Sequence, residues 1–161
     1  MTEKKYFQDY VPGNVCFGCG TEHPEGLQIK SYWDGSVAIC HWQPEDKYRD
    51  WPRLLNGGIM ATIIDCYCIG IAMAYAQKQE DRDIDSTPLY RYATGRSKIN
   101  YYNPRSTKDL ITLRAQINEH NQRKITMTCS LKSRNIITAE AEVIAIKVYN
   151  SSKNNETKQF K

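Results

Sequence analysis

The chain has 161 residues, with 22 Lys and Arg against 18 Asp and Glu and a formal net charge of +4. That length suits one domain with a core of its own, and an apolar share of 40% is that of a globular protein. The mild charge sits partly on Lys153, Lys158 and Lys161 of a polar C-terminal stretch; it reads as solubility and excludes the clustered basic face of a nucleic-acid binder.

In chain order, residues 1–26 read as irregular, broken by Pro12, Gly13, Gly18, Gly20, Pro24 and Gly26. No apolar stretch follows Lys4 and Lys5, so no signal peptide is expected and the six cysteines are read as reduced thiols of a cytoplasmic protein. Cys16-x-x-Cys19 with His23 and His41 offers part of a zinc set. A closed site takes four ligands and only one pair has metal spacing, so the expectation is a packed thiol turn with no metal and no disulfide. Cys40, Cys66, Cys68 and Cys129 lie in apolar segments as small hydrophobes.

Leu27–Trp33 and Ser36–Trp42 read as two strands joined at Asp34-Gly35. After a loop with Pro44 and Pro52, Asn56 is a helix N-cap for a helix from Gly57 to Gln79. Apolar nearly all round, that helix is expected to be buried nearly all round. Its length would span a bilayer, but Asp65 near its middle and the lack of flanking basic residues argue against a membrane span. Four strands follow: Tyr90–Tyr102, Asp109–His120, Arg123–Leu131 and Ile136–Val148, the last with a phase shift near Val143-Ile144 that suggests a bulge. Residues 1–149 form one α+β domain, an antiparallel sheet wrapped around one long helix, and 150–161 a polar tail expected to be disordered.

The stretch from Asn56 to Asp65 carries the chemistry. Gly57 and Gly58 weaken a helix start, yet leave its N–H groups open to a carbonyl oxygen gaining negative charge; a tight loop-to-helix turn explains them equally well. Asp65 lies among Ile, Ala and Cys, where a carboxylate costs several kcal/mol unless paired or protonated. An ion pair is the structural alternative to function. Gly57 and Asp65 are eight residues apart, so about 12 Å along one helix axis and about 80° around it. If both act on one substrate, two copies of the helix must meet across a two-fold axis.

Asn56-Gly57-Gly58…Asp65 resembles the His-Gly-Gly…Asp signature of hot-dog-fold acyl-CoA thioesterases of the phenylacetate-pathway (PaaI) type. Cys16-Phe17-Gly18-Cys19-Gly20 with Pro24 and Gly26-Leu27 is similar to an N-terminal pattern of that group. Tyr48–Leu55, Ala93-Thr94-Gly95 and Ile99-Asn100-Tyr101 with Pro104 resemble the segments flanking the helix, and the match covers roughly residues 14–148. The resemblance implies a hot-dog fold, an acyl-CoA or related thioester as substrate with no cofactor beyond that coenzyme A, and a homodimer or dimer of dimers. It implies Asp65 as general base or nucleophile, the Gly57 N–H as carbonyl donor, Thr94 as the positioning hydroxyl, and Gly58 and Asp50 at substrate-binding positions. Without the resemblance, Thr94 reads as an ordinary strand threonine.

The departures are Asn56 in place of the family histidine, which keeps a cap but cannot titrate, and Asp50 where Asn is common. Arg53 stands where small residues are usual. Arg96, Lys98 and Arg105 could meet coenzyme A phosphates or form a solvated strand face. His120, at a strand end, reads as solvated. Two other functions remain open: a non-catalytic acyl-CoA-binding protein, and a hydratase-type hot-dog enzyme, which wants a histidine near the acid.

Overall fold

A computed structural model describes residues 3–153. Six strands, β1 (Ser31–Asp34), β2 (Val37–Trp42), β3 (Tyr90–Tyr101), β4 (Ile111–His120), β5 (Lys124–Ser133) and β6 (Ile136–Asn150), form one antiparallel sheet in the order β1-β2-β4-β5-β6-β3. One helix, α1 (Gly57–Lys78), packs on it. This is the α+β hot-dog architecture expected from sequence: a sheet curled about a single long helix.

Turn chemistry sets the hairpins. Gly35 (φ +61°) opens the two-residue β1–β2 loop, and Arg134 (φ +52°) and Asn135 (φ +61°) form the β5–β6 loop with both central residues left-handed. The first strand starts four residues later than its alternation suggests. Gln28 has a positive φ of 56°, which breaks the extended run. Leu27 and Ile29 instead donate their N–H groups to Phe17 and Gly18 carbonyls at 2.8 and 3.0 Å.

The expected bulge lies not on β6 but on its paired neighbour β3, opposite Ile144 and Ala145. The buried alternation of β6 through Ala139, Ala141, Val143 and Ala145 is unbroken. The extra residue is Gly95 of β3, since Thr94 pairs with Ala145 and Arg96 with Ile144. A Cβ on Gly95 would stand 2.8 Å from Ile146 Cγ1, so a side chain there would have to push Ile146 aside. The bulge switches which residues of β3 face the helix: Tyr90, Tyr92 and Thr94 before it, and those opposite Val143, Ala141 and Ala139 after it, namely Ser97, Ile99 and Tyr101.

Ile63, Ile64, Tyr67 and Ile71 of α1 are wholly buried against the sheet, each aliphatic side chain contributing about 1.5–3 kcal/mol. The Tyr67 hydroxyl donates to the Ala38 carbonyl at 2.6 Å, which removes the cost of burying it. Near the N-terminus, Gln8 is buried against Gly70 and pairs with Ser31 through both ends of its amide. The helix is long and apolar enough to cross a membrane by composition, but it is the core helix of this fold.

Burial nearly all round is not what the structure has. A stripe along one side of the helix, with Gly58, Thr62, Asp65, Ile69 and Met73, is only half-buried or exposed. The sheet covers one side of a helix whose composition suits covering on every side. At the other end of the chain, β6 runs through Asn150, and the Ser151 N–H donates to Leu89 at 2.9 Å. The expectation of a disordered tail falls, for 154–161, outside the described residues.

Candidate active site

Asn56 caps α1. Its Oδ1 accepts from the N–H groups of Gly58 at 2.7 Å and Ile59 at 3.1 Å, an arrangement worth about 1 kcal/mol. Gly58 therefore spends its N–H on the cap. The Gly57 N–H stays outside it and has no partner among the described residues. A Cβ at Gly57 would meet nothing nearer than Tyr101 at 3.8 Å, so space above the helix start is open. The positive end of the helix dipole points into that space.

A cleft of about 340 Å³ opens there, lined by Asp50, Trp51, Gly57, Met60, Tyr101 and Arg105 among others. The Tyr101 hydroxyl donates to the Gly57 carbonyl at 2.9 Å and holds the first turn. Trp51, Tyr101 and Tyr102 leave half or more of their surface exposed. Asp50 accepts the Trp51 N–H at 2.6 Å and belongs to this end of the helix. Arg53 adopts φ +66°, a conformation that small residues take most easily.

Asp65 sits two turns further along α1, on the half-buried stripe. Thr94 of β3 donates its hydroxyl hydrogen to Asp65 Oδ1. Burial raises the Asp65 carboxyl above its ordinary range, the Thr94 hydrogen bond pulls it back, and negative charge on Cys16 raises it further. No cation pairs with it among the described residues, so the ion-pair alternative has no support. The carboxylate is free to accept a proton or attack an electrophile.

Within one chain the structure thus joins Thr94 to Asp65, and Asn56, Gly58, Asp50 and Tyr101 to Gly57. It does not join the two groups to each other. Arg105 lines the cleft, while Arg96 and Lys98 lie exposed on β3. Of the histidines, His41 pairs with Thr112 and His120 packs edge-on against Tyr75, leaving neither beside Asp65. Tyr101 is the site residue that sequence reasoning did not single out. Its signal was its place in the segment after the helix, but only the Gly95 bulge turns its ring inward.

No protein-family model matches the chain, and no curated protein does. Solved structures do. A thioesterase superfamily protein from Shewanella loihica PV-4 shares 28% identity over 75% of this chain and 91% of its own, with a TM-score of 0.62. The Escherichia coli PaaI protein of the phenylacetic acid degradation operon is 11% identical over 77% of this chain and 82% of its own, with a TM-score of 0.63. A Streptococcus mutans protein solved with acetyl-CoA is 13% identical over 73% and 86%, with a TM-score of 0.59. The last two show the fold alone. The first likens the chain to a thioesterase superfamily protein and bears out the resemblance to hot-dog thioesterases at that level.

Proposed function

We propose that the protein is an acyl-CoA thioesterase acting as a homodimer, with each active site shared between two copies. The observation that carries the reading is an unpaired carboxylate, Asp65, held by Thr94 on an open stripe of the same helix whose first N–H, Gly57, is also unpaired among the described residues. A carboxylate and an oxyanion donor are the two groups thioester hydrolysis needs.

They lie too far apart on one helix to share a substrate. Antiparallel packing of two copies across the half-buried stripe brings Gly57 of one toward Asp65 of the other. The same packing would cover Ile69 and Met73.

In the reaction, the thioester oxygen accepts the Gly57 N–H. Asp65 takes a proton from water as its oxygen attacks the carbonyl carbon. The carbon–sulfur bond then breaks, and the proton passes from Asp65 to the leaving thiolate, giving carboxylic acid and thiol. Arg105 offers a cation at the cleft for the coenzyme A phosphates. Neighbours solved with acetyl-CoA and coenzyme A support that ligand class.

One observation favours a second reading. Asn56, where the family has histidine, turns its side-chain oxygen to capping, so the cap position has no titrating group. A protein that binds acyl-CoA without turning it over fits this equally well. A screen of acyl-CoA chain lengths and aryl-acyl thioesters, following free thiol, decides between them: turnover supports the enzyme, and saturable binding without thiol release supports the binder.

A further inference from the structure

The Cys16-x-x-Cys19 pair does not stand alone. Cys66, the neighbour of Asp65 on α1 and 50 residues along the chain from Cys16, closes on it, with the Cys16 and Cys66 sulfurs 3.8 Å apart. All three sulfurs lie within 4.8 Å of one another. Zinc–sulfur bonds of about 2.3 Å meeting at tetrahedral angles hold ligand sulfurs about 3.8 Å apart. A disulfide would use two of these sulfurs and leave the third unexplained, whereas a soft cation uses all three.

The turn is shaped around the sulfurs. Gly18 donates its N–H to Cys16 Sγ at 3.3 Å, and Asn14 Nδ2 approaches Cys19 Sγ at 3.6 Å. Gly20 closes the turn onto the Cys16 carbonyl at 2.7 Å. Donors aimed at sulfur favour thiolate over thiol. A Cβ on Gly18 would collide with Cys66 Sγ, so glycine there is what lets the turn reach the helix. A Cβ on Gly20 would stand 2.5 Å from the Asn14 carbonyl oxygen and 2.6 Å from Cys16 backbone atoms.

We propose that Cys16, Cys19 and Cys66 bind one zinc ion as three thiolates, with solvent as the fourth ligand, and so pin the irregular N-terminal turn to α1. The expectation of no metal rested on finding a single cysteine pair in sequence; the fold supplies the third sulfur. Neither His23 nor His41 joins the cluster. The site is independent of the thioesterase reading, because its test follows metal content and stability rather than turnover.

The full chain, stripped by chelator under reductant, is titrated with Co²⁺ and then Zn²⁺. One equivalent of Co²⁺ is expected to give the sulfur-to-metal charge-transfer and visible ligand-field bands of a tetrahedral thiolate site, and one equivalent of Zn²⁺ to bleach them and raise the melting temperature. Cys16→Ser and Cys66→Ser should lose both responses, while Cys129→Ala, in the core of β5, keeps them. Zinc should also protect Cys16, Cys19 and Cys66 of the unaltered chain from alkylation, a readout that needs no variant to fold. Absence of thiolate bands, equal binding by the Cys→Ser variants, or alkylation of Cys16 undiminished by zinc each overturns the proposal.

Discussion

Thr94 donates its hydroxyl hydrogen to Asp65 across 29 residues of chain, from the edge strand β3 to the middle of α1. The Gly95 bulge makes this contact compatible with a second one. It lets Thr94 and Tyr101 both face the helix, the first at Asp65 and the second at Gly57. Without the extra residue, the even spacing of a strand would put one of them on the wrong face.

Thr94→Val keeps the shape of the side chain and removes the hydrogen bond. A bond to a charged group is worth about 1.5–3 kcal/mol, so turnover should fall roughly tenfold or more with little loss of folding. Thr94→Ser should stay near the unaltered rate. Steady-state kinetics beside thermal melting of the same preparations checks this; equal turnover in the Val and Thr proteins counts against a positioning role.

Gly95→Ala forces a Cβ to within 2.8 Å of Ile146 Cγ1. Overpacking of that kind costs about 1–3 kcal/mol. A lower denaturation midpoint is expected, with turnover falling further than the stability loss explains, because Thr94 shifts with its neighbour. A variant as stable as the parent would show that β3 tolerates a side chain at the bulge.

Much of this was legible in sequence, and the misses have physical causes. Asn56 before a long apolar run announced both the cap and the helix, and Asp65 stood out because a lone carboxylate in such a run is costly. Turn signals at Asp34-Gly35 and Asn103-Pro104 marked the first three strands, and alternation the last three. The bulge was placed on β6, where an apolar pair interrupts the pattern, and not at Gly95, because apolar residues on an outer face mimic a phase shift. Cys66 looked like one more small hydrophobe of the helix, since proximity to Cys16 is a property of the fold and not of spacing. Composition suggested a helix covered all round, but it cannot say how much of that covering comes from the same chain.

Asn56→Ala removes the acceptor for two N–H groups and should cost about 1 kcal/mol of stability, read by chemical denaturation. Asn56→His restores the family residue and should keep or raise turnover. A His variant that folds but loses hydrolysis would contradict the family parallel at this position.

The half-buried stripe is expected to be covered by a second copy. Sedimentation should find at least a dimer, and Ile69→Lys, which puts a charge at the centre of that face, should give monomers without turnover. A monomer of the unaltered chain that hydrolyses thioesters would remove the shared site.

Asp65→Asn tests the central claim most directly, because it keeps the volume of the side chain and removes only its negative charge and basicity. Thioester hydrolysis is predicted to fall by about two or more orders of magnitude, the scale of losing a positioned base, while acyl-CoA binding and the melting temperature persist. Unchanged hydrolysis in a well-folded Asp65→Asn protein, measured on the same preparation as the melt, would contradict the account and favour the binding protein.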